Sequence, residues 1–91
     1  MIKYVYSTRN KLSGNYNVPL LYDIPKENAA EAFAISAKES KDPLVAELEA
    51  YYLGTYDTKT GLFVNEQEFL IDLGTVVQHE QSREQEQASV Q

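Results

Sequence analysis

Leu53-Gly54-Thr55-Tyr56-Asp57-Thr58-Lys59-Thr60-Gly61-Leu62-Phe63 decides the fold, because it joins two aromatic-flanked β-runs through a turn in which each position has a physical reason. Asp57 can accept a hydrogen bond from the backbone two residues on, and Thr58 and Lys59 suit the centre of a type I turn. Gly61 can take the left-handed conformation that lets the ladder resume as a bulge. The stretch predicts a hairpin of Tyr51–Tyr56 with Gly61–Val64 and fixes its register. After it, residues 66–77 hold one more apolar run, Phe69-Leu70-Ile71 and Val76-Val77, whose type the pattern leaves open.

Working back from the hairpin, Pro43 stops a helix that ends by about Lys41. Pro25 introduces that helix, and Asn28 with Glu31 has the form of a capping box, which places the start near Ala29. Ala29, Ala32, Phe33, Ser36 and Ala37 then share one face, an alanine-rich stripe that lets a helix approach a sheet closely with Phe33 as its anchor. Leu44 to Ala50 can form a second short helix. Ahead of these, Ile2–Ser7 is β-branched and aromatic and reads as a strand. The polar Thr8–Asn15 segment turns at Ser13-Gly14-Asn15, and Tyr16–Tyr22 returns as an antiparallel partner. Pro19 cannot donate to a ladder, so this second strand should be irregular or begin only at Leu20. The expected fold is α+β: a small antiparallel sheet in β-β-α-β-β order with one main helix on one face. Residues 1–77 form the single domain, and the Gln- and Glu-rich residues 78–91 form a polar tail, disordered or a frayed helix.

At 91 residues the chain has room for one thin core, and it contains no cysteine. It opens directly on Ile2-Lys3-Tyr4-Val5-Tyr6, and no run approaches the ~18 apolar residues of a membrane helix, so a cytoplasmic location without membrane association is expected. Net charge is -6, yet residues 1–26 set Lys3, Arg9, Lys11 and Lys26 against Asp23 alone, a local +3 that leaves -9 elsewhere. Such a molecule repels polyanions at long range while its first two strands can still meet a phosphate backbone.

Catalytic signatures are missing from the sequence. His79 is the one histidine and has no motif partner, so it reads as an exposed side chain rather than a base. The pairs Glu47/Glu49, Glu66/Glu68 and Glu84/Glu86 lack histidine or cysteine partners, which favours a solvated acidic face over a metal site or a nuclease centre. Phosphate-binding loops, dinucleotide fingerprints and nucleophile elbows are absent. The expectation is a non-enzymatic protein with no cofactor and no metal. Seven tyrosines are the remaining anomaly. Tyr4, Tyr6 and Tyr16 lie beside Lys3, Arg9 and Lys11, the mixture of rings and cations with which a small sheet reads single strands. The alternative is that Tyr4 and Tyr6 pack under the helix with their hydroxyls at the rim.

Three blocks carry a resemblance. Tyr4-Val5-Tyr6-Ser7-Thr8-Arg9-Asn10-Lys11-Leu12-Ser13-Gly14-Asn15-Tyr16 followed by Pro19, the Asp42-Pro43 helix stop, and the Leu53–Phe63 hairpin occur in the order and spacing of the small nonstructural proteins of gokushoviruses, single-stranded DNA phages of the Microviridae. The likeness covers most of residues 2–73. It implies a nonstructural accessory protein involved in viral single-stranded DNA synthesis, acting in the host cytoplasm, with some members described as DNA-binding. The residues expected to contact single-stranded DNA are Lys3, Tyr4, Tyr6, Arg9, Lys11 and Tyr16. The competing expectation is a protein-interaction module that binds phage replication or capsid-assembly proteins without touching DNA. A homodimer is a further expectation, since a thin core and open sheet edges gain from pairing.

Overall fold

The structure, a computed structural model, describes residues 1–78; His79 and the rest of the expected polar tail lie outside the described residues. Strands β1 (Ile2–Asn10), β2 (Leu20–Tyr22), β3 (Leu48–Asp57) and β4 (Phe63–Asp72) form one antiparallel sheet in the order β2-β1-β3-β4. Helix α1 (Lys26–Glu39) connects β2 to β3 and packs against β3 and β4, followed by a 3-10 turn at Pro43–Glu47. Residues 73–78 are helical. The expected α+β class and single covering helix are therefore observed.

The hairpin forms from the chemistry of its turn. The Lys59 N–H donates to Asp57 Oδ1 at 2.9 Å, the Gly61 N–H donates to the Asp57 carbonyl at 2.8 Å, and Gly61 has φ +75°. Both strands run further than the sequence pattern indicates, because β3 begins at Leu48, directly after the 3-10 turn, and β4 absorbs the ambiguous apolar run as far as Asp72. Register shifts on both sides of Leu53 mark a bulge: Val5 faces Gly54 while Tyr6 faces Tyr52. Gly54 sits there at φ +146°, where a Cβ would overlap the Val64 carbonyl.

Pro19 acts as expected. Tyr16 makes one isolated bridge to Arg9, and regular pairing resumes only at Leu20–Tyr22. Between them Asn17 is stitched to β1, its N–H donating to the Thr8 carbonyl at 2.8 Å while its own carbonyl accepts from Ser7 Oγ at 2.7 Å. The helix starts earlier than expected. Pro25 occupies the N-cap position in an extended conformation with no side-chain cap, and the helix begins directly after it at Lys26, ahead of the Asn28/Glu31 pair. It also ends sooner, at Glu39. Instead of an α-turn after Pro43 there is a 3-10 turn, with Asp42 Oδ1 accepting from the Leu44 N–H at 2.9 Å.

The core lies between α1 and the sheet. Tyr6, Ala29 and Tyr52 are its buried centre, with Tyr4, Ile24, Phe33 and Leu70 packed around them. The Tyr6 ring meets Phe33 edge-on at 5.8 Å and Tyr52 at 5.7 Å. The small stripe does what its composition predicts: Ala29 and Ala37 are fully buried, which lets Phe33 reach Tyr6.

Candidate nucleic-acid interface

Strand alternation divides the residues singled out in the sequence. Along β1, Tyr4 and Tyr6 turn toward α1, while Lys3, Val5, Ser7 and Arg9 face the side without a helix. Tyr6 is 1% exposed and its hydroxyl donates to the Ile24 carbonyl. Burial, with Tyr52, Tyr4 and Glu27 adding to it, pushes its phenol up to about 12. Tyr4 is half-buried against the same core. The Tyr6 ring cannot stack on a base, which corrects the expectation for it, and the helix partly covers Tyr4 on the same face.

The three expected cations do not form one patch. Lys3 Nζ meets Asp23 Oδ1 at 2.7 Å, and Arg9 Nη1 meets Glu49 Oε1 at 3.1 Å. Lys11 lies past the end of β1 and meets Asp72 Oδ1 at 2.8 Å; Asp72 pairs with Glu49 across the β3–β4 ladder, so Lys11 ends beside the Arg9–Glu49 pair, while Lys3 lies toward the other end of β1. The Lys11 ammonium, with the Gly74 and Thr75 N–H groups, holds the Asp72 carboxyl below its usual range against the opposing effect of burial. Each of these cations thus already carries a carboxylate.

What the helix-free face does assemble is a row of rings. Tyr16 is 44% exposed and meets Tyr51 at a centroid distance of 5.3 Å and an interplanar angle of 67°. Tyr51 in turn meets Phe69, itself 50% exposed, at 5.6 Å and 74°. The Arg9 guanidinium carbon sits 5.9 Å from the Tyr16 centroid, and Gln67 Nε2 donates to the Tyr16 hydroxyl. Burial raises the Tyr51 phenol, with Glu49 and Tyr16 reinforcing the shift. The Tyr16 side chain thus runs from the β2 side of β1 across the face to β4, held at both ends.

Of the residues expected from the sequence, Arg9 and Tyr16 meet here and Lys3 lies on the same face. Tyr51, Phe69, Gln67 and Glu49 were missed. A usable signal existed for the first of them, since consecutive tyrosines in one strand must point to opposite faces, so Tyr51 and Tyr52 cannot both be core. Phe69 required the register, because it faces Tyr51 only through the bulge near Ala50.

Two hollows lie elsewhere. A cavity of about 120 Å³ between sheet and helix is lined by Tyr6, Tyr22, Ile24, Ala29 and Phe33. A wider groove of about 550 Å³ runs between Ala34 and Lys38 of α1, the end of β4, and Thr75 and Val76. Among the described residues no three His, Cys, Asp or Glu side chains gather to hold a metal, and no helix is long and apolar enough to cross a membrane. No family model, curated protein or solved structure matches the chain.

Proposed function

We propose that this chain is a non-enzymatic phage nonstructural protein that binds single-stranded DNA during viral DNA synthesis or packaging, and that it does so with the helix-free face of its sheet. One observation carries the reading: half-exposed Tyr16 and Phe69 flank partly buried Tyr51 in an aromatic row with the Arg9 guanidinium beside it. Rings held on a sheet offer π-faces to any base at little ordering cost, and a neighbouring guanidinium can stack or meet phosphate. The resemblance of residues 2–73 to the gokushovirus nonstructural proteins points the same way. Few cations are within reach and each is paired, so stacking must supply most of the affinity.

Titration of a fluorescent thymine oligonucleotide at about 50 and about 200 mM salt tests this. Binding should weaken with salt, Tyr51→Ala should reduce it, and Lys11→Glu, which takes away a cation but no ring, should reduce it less. A second reading has its own support. Leu20, Leu21, Phe63 and Val64 are about half-exposed along the two sheet edges, and the paired cations lower the appeal of the face for phosphate. Absence of oligonucleotide binding at the lower salt would leave a phage replication or capsid-assembly protein as the partner, to be identified by co-purification from infected cells.

A further inference from the structure

The inclination of the rings limits which strand they can hold. Neighbouring bases in a stacked strand lie parallel, about 3.4 Å apart. Here the successive ring centroids are 5.3 and 5.6 Å apart, and successive planes are inclined by 67° and 74°. A stacked dinucleotide can therefore lie flat on one ring at most. Engaging Tyr16 and Phe69 together requires bases that have come apart from each other, because Tyr51 stands between them.

The backbone beneath the rings fixes their spacing, whatever ligand arrives. Tyr16 is fixed at its backbone by the bridge to Arg9 and at its hydroxyl by Gln67, and its neighbour Asn17 is hydrogen-bonded to Thr8 through both its N–H and its side-chain amide. Tyr51 sits on β3, paired on both sides, with its ring wedged edge-to-face between two others. The ligand must adapt. Resting on the single-strand reading above, we infer that this face selects strands whose bases are already unstacked: flexible, pyrimidine-rich single-stranded DNA, in preference to self-stacking adenine tracts and to duplex. Thymine stacks weakly on itself and gives up little when splayed across inclined rings, whereas adenine must first lose its own stack. Duplex is disfavoured twice, since its bases are sheathed and its dense phosphates meet cations already held by Asp23, Glu49 and Asp72.

The test is fluorescence anisotropy on the full chain, with thymine and adenine oligonucleotides of about 12 nucleotides and a duplex of equal length as probes. The thymine strand should bind at least about fivefold more tightly than the adenine strand, with the duplex weakest. Phe69→Ala, a change at a half-exposed position, should shrink the thymine advantage more than it weakens adenine binding. Raising the temperature, which melts the adenine stack, should narrow the gap in the wild type. Equal binding of the two strands, or tighter binding of adenine, overturns the inference while leaving the single-strand reading intact. No binding of any probe overturns both.

Discussion

Tyr51 and Tyr52 are neighbours on one strand and have opposite fates. Tyr52 points under α1, is 3% exposed, and joins Tyr6 and Ala29 in the buried centre. Its hydroxyl escapes to the rim, where it donates to Glu66 Oε2 at 3.2 Å and where burial, then Glu66, raises its phenol. Tyr51 points to the face without a helix, where it is partly buried between the rings of Tyr16 and Phe69. The same side chain is thus structural on one face and available on the other, and what separates the two is one step of strand alternation.

The largest expected effect tests that division directly. Tyr52→Ala empties the core and should cost about 3–5 kcal/mol of unfolding free energy, a large share of what a domain this small possesses. Tyr51→Ala should cost about 1–2 kcal/mol, the worth of its two ring contacts and a modest area. Urea denaturation of both variants would show it, and equal losses would mean that the helix-free face is a second core. In oligonucleotide binding the order reverses. Tyr51→Ala should lose about 1–3 kcal/mol of affinity, the usual value of one stacked base, in a protein that remains folded.

The same division explains which parts of the molecule were legible in the sequence. Asp57 and Gly61 define their turn through bonds within five residues, and Pro19 blocks a ladder wherever it stands, so both features could be read locally. The helix starts ahead of Asn28 and Glu31, whose spacing has the form of a cap, because the first turn follows directly on the extended Pro25 and needs no side-chain cap. Fold class does not depend on that start, since the alanine stripe and Phe33 remain on one face whichever residue comes first. The site was less legible. Whether Tyr4 and Tyr6 or their strand neighbours face solvent depends on which side of the sheet α1 lands, and Phe69 reaches Tyr51 through a bulge that no local pattern announces. Ion pairs such as Lys11 with Asp72 join residues from opposite ends of the described chain.

The buried Tyr6 phenol also makes the fold sensitive to alkali. Because the Tyr6 phenol is pushed up to about 12 against an ordinary value of 10.0, the folded state holds its proton more tightly than the unfolded chain. The stability this contributes is whole below the ordinary value and is lost as pH rises through the raised one. Unfolding free energy should fall between those limits. Tyr6→Phe should flatten much of that slope while costing about 1–3 kcal/mol at neutral pH, because the Ile24 carbonyl loses its donor. An unchanged alkaline slope in the variant would place its origin in other tyrosines.

The smallest effect probes the competition at Arg9. Its guanidinium lies beside the Tyr16 ring yet is engaged by Glu49 at 3.1 Å, so a phosphate must displace a carboxylate already in place. An ion pair with this partial exposure is worth only about 0.2–1 kcal/mol, which bounds what its removal can release. Glu49→Gln keeps the shape and a weaker hydrogen bond but removes the charge. Oligonucleotide affinity should rise by roughly 1.5–5-fold, the equivalent of that energy, and the salt dependence should steepen by about one counterion. A protein partner recognised through the apolar edges would be nearly indifferent to this change. Tighter binding with an unaltered salt slope would mean that Glu49 acts through Tyr51, whose phenol it also influences, rather than by occupying Arg9.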